Sequence, residues 1–67
     1  MKNNLEELRN QRGLTQQELA DQVEVSRQTI ISLENGRYNP SILLAFRLSQ
    51  LFQMKIEDIF FYIPEDY

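Results

Sequence analysis

The segment 13–36 carries two helix starts eleven residues apart, bracketed by the only two glycines of the chain, Gly13 and Gly36. Thr15-Gln16-Gln17-Glu18 has the T-x-x-E form, in which a hydroxyl and a carboxylate each satisfy a backbone N–H left open at a helix start. Leu19, Ala20 and Val23 follow at helical spacing. Glu24-Val25 breaks that pattern, and Ser26 is the next capping residue, opening "SRQTIISLENG". Asn35 ends this second helix and Gly36 closes it. So short an interval leaves two compact helices and a turn of about four residues. No strand pairing fits inside it.

The flanks continue in the same manner. Asn3 or Asn4 can cap a first helix with Glu6 and Glu7 in its favourable first turn, Leu5 and Leu8 as its apolar stripe, and Gly13 as its left-handed stop. Leu14 can fold back onto Leu8. Pro40 disfavours helix at Asn39, and Ser41 can cap a fourth helix from about Ile42 to Phe52. Asp58, Ile59 and Phe60 indicate a short fifth turn, and "FFYI" is β-prone up to Pro64. The expected architecture is one all-α domain over residues 1–67 with five helices and room for a short terminal β-element. The helix-turn-helix lies at about 15–36.

Composition removes whole classes of chemistry. The 67 residues contain no cysteine and no histidine, so disulfides, thiolate or imidazole metal sites and Cys/His nucleophiles are excluded. Glu6/Glu7 and Glu57/Asp58 are better explained as charges at helix starts than as acid pairs. No Gly-rich phosphate loop is present, and no enzyme, metal, cofactor or small-molecule ligand is expected. "MKNNLEELRN" lacks the apolar core of a signal peptide, and no run is long enough to span a membrane. A cytoplasmic protein is the expectation. Net charge is −3, but the sign is unevenly spread. Residues 9–47 hold five arginines against Glu18, Asp21, Glu24 and Glu34, a net of +1, whereas the ends hold two lysines against six acids, a net of −4. This arrangement suits a polyanion met by the middle, with the acidic ends turned away.

Helical geometry sorts the third helix into faces. Ile30 and Leu33 share an inward edge, while Gln28, Ser32 and Asn35 lie about 140–200° from Ile30. Ile31 falls near the exposed arc. Arg27, Gln28 and Thr29 occupy the first turn, and residues at that place reach base edges when a helix enters the major groove. Arginine matches guanine O6 and N7, and glutamine matches adenine N6 and N7. An ordinary amphipathic helix with a polar first turn reads the same way from composition alone.

The whole run from Leu8 to Phe60 resembles the Cro/phage-repressor (XRE) family of helix-turn-helix DNA-binding proteins. "GLTQQELA", "VSRQTIISLENG", "NPS" and an apolar helix ending in "IEDIF" occur in that family's order and spacing. The resemblance implies a lambda-repressor-like five-helix fold and no cofactor. It implies that Ala20 permits close helix approach, that Leu19, Val23, Val25, Ile30 and Leu33 are buried, and that Arg9 pairs with Glu34. Gln16 would meet phosphate at the start of the second helix. Arg27, Gln28 and Ser32 would read bases with Ser26 and Thr29 beside them, and Asn35, Arg37 and Asn39 would approach the DNA backbone. Glu24 departs from the pattern, standing where glycine is frequent because the backbone there often takes positive φ.

The fourth helix is apolar over about half its circumference, wider than the roughly 100° stripe that one core needs. Ile42, Ala45, Leu48, Ser49 and Phe52 are its core candidates. Leu44 and Leu51, with Phe60, Phe61, Tyr62 and Ile63, are the candidate dimer interface, within a dimerisation region of about 42–67. The expected function is a transcriptional regulator, a repressor by preference, that binds a double-stranded DNA operator of inverted-repeat form as a homodimer. The alternative is an antitoxin-like or assembly module that uses the same apolar surface for a protein partner.

Overall fold

A computed structural model describes residues 1–64. It contains five helices: α1 (Leu5–Gln11), α2 (Gln16–Gln22), α3 (Arg27–Glu34), α4 (Ile42–Phe52) and α5 (Ile56–Ile59). Two short strands, β1 (Lys2–Asn3) and β2 (Phe60–Phe61), pair antiparallel with Lys2 opposite Phe61 and Asn3 opposite Phe60. The chain is therefore helical with a two-stranded clasp joining its two ends. The acidic Glu65 and Asp66, and the last part of the expected dimerisation region, lie outside the described residues.

The helix boundaries follow from local hydrogen bonds. Thr15 Oγ1 accepts from the Glu18 N–H at 3.0 Å, and Glu18 Oε1 accepts from the Thr15 N–H at 2.8 Å, a complete capping box. Ser26 and Ser41 cap α3 and α4 through the N–H groups of Thr29 and Leu44. Gly13 and Gly36 adopt φ of 67° and 73°. Behind each, two N–H groups turn back onto the helix, Gly13 and Leu14 onto Asn10 and Arg9, Gly36 and Arg37 onto Leu33 and Ser32. At the start of α1 the two candidate capping residues, Asn3 and Asn4, behave differently. Asn4 makes no side-chain cap. Instead, Asn3 Oδ1 accepts from the Leu5 N–H at 3.0 Å while Asn3 Nδ2 donates to the Leu33 carbonyl at 2.8 Å. One side chain thus starts α1 and ties it to the end of α3, where the Met1 ammonium also donates to Gly36 O at 2.8 Å.

The core is Leu5, Leu19, Ala20, Val23, Ile30, Leu33, Leu44, Leu48, Phe52, Ile59 and Phe60, all buried. Ala20 is fully buried, and α2 and α3 pack more extensively than any other helix pair. Val25 is only half-buried at the margin of this core. Ile42 is a larger departure. It stands 76% exposed, because the cap at Ser41 makes it the first residue of α4 and the inward arc of that helix is centred on Leu48 and Phe52.

Two non-glycine residues take left-handed backbone, Glu24 (φ 62°) and Gln53 (φ 53°). That conformation costs an L-residue roughly 1–2 kcal/mol. At Glu24 an arginine of α4 meets the turn: Arg47 donates to Val23 O at 3.3 Å and its guanidinium lies 3.4 Å from the Glu24 carboxylate. Glu24 is mostly exposed, so this ion pair contributes at most about 1 kcal/mol. Gln53 makes no such side-chain contact among the described residues. Gln53→Gly is therefore expected to raise the thermal midpoint by roughly 2–6 °C. Glu24→Gly should gain less, since strain relief and loss of the Arg47 pair nearly cancel. Circular-dichroism melts of both variants check this; a larger gain at Glu24 would refute the ranking.

Candidate nucleic-acid interface

Helix α3 is held from both ends and from beneath. Ser26 fixes its start, the N-terminal segment closes its last carbonyls, and Ile30 and Leu33 are fully buried below it. Its last residue, Glu34, is nearly enclosed, with a side chain 4% exposed against 10% for Arg9. Arg9 Nε donates to Glu34 Oε2 at 2.7 Å and Nη2 donates to Oε1 at 3.3 Å, a forked pair between α1 and α3. Arg9 Nη1 donates in addition to Leu14 O at 2.8 Å. The carboxylate of Glu34 holds the Arg9 guanidinium above its ordinary pKa, chiefly through this hydrogen bond, while burial acts the other way. Gln16 Nε2 donates to Glu34 Oε1 at 3.2 Å. Arg9 of α1 and Gln16, the first residue of α2, are thereby both tied to the carboxylate that ends α3.

The outward face of α3 divides into three neighbourhoods. Arg27, at the first position of the helix, borders an open depression with Arg9, Thr15, Gln16 and Gln17. Gln28 and Ser32, one turn apart, border a second depression with Ser26, Thr29 and Tyr38. Asn35 belongs elsewhere, at the far end of the helix beside Met1, Lys2, Asn3 and Phe61. Arg37 and Asn39 are exposed in the loop that follows. Ile31, on the margin of the face, is half-buried.

Hydrogen bonding sharpens these differences. The hydroxyls of Ser26 and Thr29 lie 3.0 Å apart and close on each other, and the Ser26 oxygen also accepts from the Thr29 N–H. Both are occupied in starting the helix. Among the described residues, the side chains of Arg27, Gln28, Ser32 and Arg37 have no hydrogen-bond or ion-pair partner. By contrast Glu24 and Glu34 are each matched with an arginine, Arg47 and Arg9. The positive charge left uncompensated around α3 is that of Arg27 and Arg37, which flank an array of free amide and hydroxyl groups. Such a surface can meet phosphates at its edges and base edges at its centre.

The pattern that defines the helix-turn-helix family matches residues 5–59, from the first residue of α1 to the last of α5. The chain belongs to that family. It is a DNA-binding helix-turn-helix protein of transcription regulation. It is 53% identical over 66 residues to an uncharacterized HTH-type transcriptional regulator of Methanocaldococcus jannaschii, covering 98% of this chain and all of that one. Identity to a regulator of the same description from Bacillus subtilis is 44% over 66 residues, again 98% of this chain and all of the relative. A third, from Archaeoglobus fulgidus, is 46% identical over 98% of this chain and 93% of its own length. No helix among the described residues is long and apolar enough to cross a membrane.

Two parts of the surface differ from what the sequence pattern indicates. Gln17, an unassigned position of the T-x-x-E motif, and Tyr38, which lies between the quoted motifs, both border the face; an aromatic residue in the otherwise polar "RYNPS" loop is the one available signal for Tyr38. Burial also divides the expected dimer residues. Leu44 (3% exposed) and Phe60 (6%) fill the core of their own chain, and Leu51 and Ile63 are half-buried. Only Phe61 and Tyr62 of that set are exposed. The excess apolar surface of α4 lies on its opposite side, at Ile42, Leu43 and Phe46. Helical periodicity shows that a helix has more apolar surface than one core needs, but not which part of the arc the core takes.

Proposed function

We propose that this helix-turn-helix protein is a repressor that binds an inverted-repeat operator as a homodimer, with α3 in the major groove. The observation that carries this reading is the pairing pattern on α3. Glu34, Ser26 and Thr29 are hydrogen-bonded within the chain, while exposed Arg27 and Gln28 and half-buried Ser32 are left without partners along the outward side of the helix. In this reading Arg27, Gln28 and Ser32 read bases, with Ser26 and Thr29 shaping the start of the helix. Gln16 keeps one amide N–H for phosphate while the other serves Glu34, and Arg37, Asn39 and Asn35 approach the backbone. Repression requires only occupancy of the site. A cytoplasmic location follows from the same role.

The homodimer rests on α4. Ile42, Leu43 and Phe46 are each more than half exposed, and three large apolar side chains within five residues are costly to leave in water. A two-fold pairing through them would set two α3 helices in successive major grooves, about 34 Å apart. An assembly module that binds a different protein would use the same α4 residues, yet it would leave the open groups of α3 without a purpose.

Selection of bound duplexes from a random library tests the reading. The expected product is a short inverted repeat. Gln28→Ala should lose roughly 1–3 kcal/mol of discrimination at one base pair per half-site, whereas Arg37→Ala should weaken binding to all sequences and flatten its salt dependence. Enrichment of no sequence would refute base reading by α3.

A further inference from the structure

Tyr38 stands at the end of the α3 face, 44% exposed, in the loop that leads to α4. With Ser26, Gln28, Thr29 and Ser32 it lines a shallow depression of about 220 Å³. That space is smaller than the roughly 300–1,000 Å³ of small-molecule sites. Despite the polar residue types, the floor of the depression offers little to a hydrogen-bonding group. The Ser26 and Thr29 hydroxyls are turned to each other at 3.0 Å, and Tyr38 is the one aromatic residue that lines the depression. The groups open to a ligand, the Gln28 amide and the Ser32 hydroxyl, stand on the same surface, one helical turn apart. An apolar notch beside an adenine-matching amide therefore meets an object with both a hydrogen-bonding edge and one apolar substituent. Among base edges in the major groove, only thymine carries such a substituent, its 5-methyl group.

We propose that Tyr38 is a specificity-determining residue whose ring, with Thr29, forms a notch for a thymine methyl group next to the base pair read by Gln28. This rests on the placement of α3 in the major groove proposed above. Tyr38 acts here as a wall rather than as a hydrogen-bonding group, so the methyl group gains from the ring and owes nothing to the phenol hydroxyl. The consequence is a preference for an A·T-containing step in each half-site, with thymine favoured over its demethylated analogue.

The test uses the full chain and the duplex it selects. Each thymine of one half-site is replaced in turn by deoxyuridine, which removes the methyl group alone. The expected result is a loss of about fourfold in affinity at a single thymine, the worth of one buried methyl. That loss should persist in Tyr38→Phe and vanish in Tyr38→Ala. If no thymine is sensitive, or if the sensitivity persists in Tyr38→Ala, the notch is refuted. A Tyr38→Ala variant that binds every duplex equally less well, with the deoxyuridine effect intact, would make Tyr38 a backbone contact and also overturn it. Failure of the underlying reading is seen earlier and separately, because the wild-type protein would then select no duplex at all.

Discussion

Arg9→Met is expected to remove most of the stability of this fold. The substitution leaves the Glu34 carboxylate, 4% exposed, with Gln16 as its remaining partner. Breaking one side of a buried pair costs roughly 3–5 kcal/mol. At about 0.05–0.15 kcal/mol per residue, a chain of this size has some 3–10 kcal/mol in total. The thermal midpoint should therefore fall by roughly 15–30 °C. Adding Glu34→Leu should recover a large part of the loss, since an apolar pair can substitute for a buried ionic one. A fall of only a few degrees in Arg9→Met, or no recovery in the double variant, would show that the pair is not the main tie between α1 and α3. The pKa of Arg9 is raised in the folded state. Its stabilising contribution is consequently present below the ordinary arginine value and is lost only in strong alkali, so the deficit of Arg9→Met should not vary across neutral pH. The same carboxylate fixes Gln16 at the start of α2, so partial loss of the pair should loosen the α2–α3 angle before the chain unfolds.

Phe46→Glu is expected to convert the proposed homodimer into a folded monomer and to abolish tight operator binding. Phe46 is 53% exposed and flanked by Ile42 and Leu43 on the outer side of α4, whereas the core of the chain is reached through Leu44, Ala45, Leu48 and Phe52. Glutamate is well tolerated in a helix, so secondary structure should persist. Two buried carboxylates facing each other across a two-fold axis cannot both be satisfied. With the two half-sites uncoupled, affinity for the full operator should drop by roughly 10²–10⁴-fold, with preference within each half-site unchanged. Sedimentation at micromolar concentration and titration of full and half operators give the answer. A monomeric wild-type protein would refute the homodimer, whereas a dimeric Phe46→Glu would move the interface away from α4. Leu44 offers an internal contrast: it is buried within its own chain, so Leu44→Ala should lower the melting temperature while the oligomeric state at low temperature is retained.

How much could be read from the residues in order depends on the range of the interaction concerned. The capping box of Thr15 and Glu18, the caps at Ser26 and Ser41, and the left-handed stops at Gly13 and Gly36 all join groups within about five residues. Each is therefore specified by a short contiguous string. The inward edge of α3 follows from the 3.6-residue period for the same reason. Asn3 shows the limit. Its N-terminal position pointed to a cap, but its amide also bridges to Leu33, thirty residues away, and no local pattern specifies that. Strand β1 is similar, since two residues register as a strand only when a partner such as Phe60–Phe61 is brought beside them.

Local hydrogen bonds and helical period determined that this chain makes short capped helices, where they begin and end, and that one of them carries an exposed polar face. Only the tertiary structure decided which apolar residues of α4 are spent on the chain's own core, that Arg47 reaches the left-handed turn at Glu24, and that Tyr38 stands beside Gln28 and Ser32. The reason is physical. A hydrogen bond within one turn of helix is encoded by its neighbours, whereas the side of a helix that faces inward depends on how all the other elements pack around it.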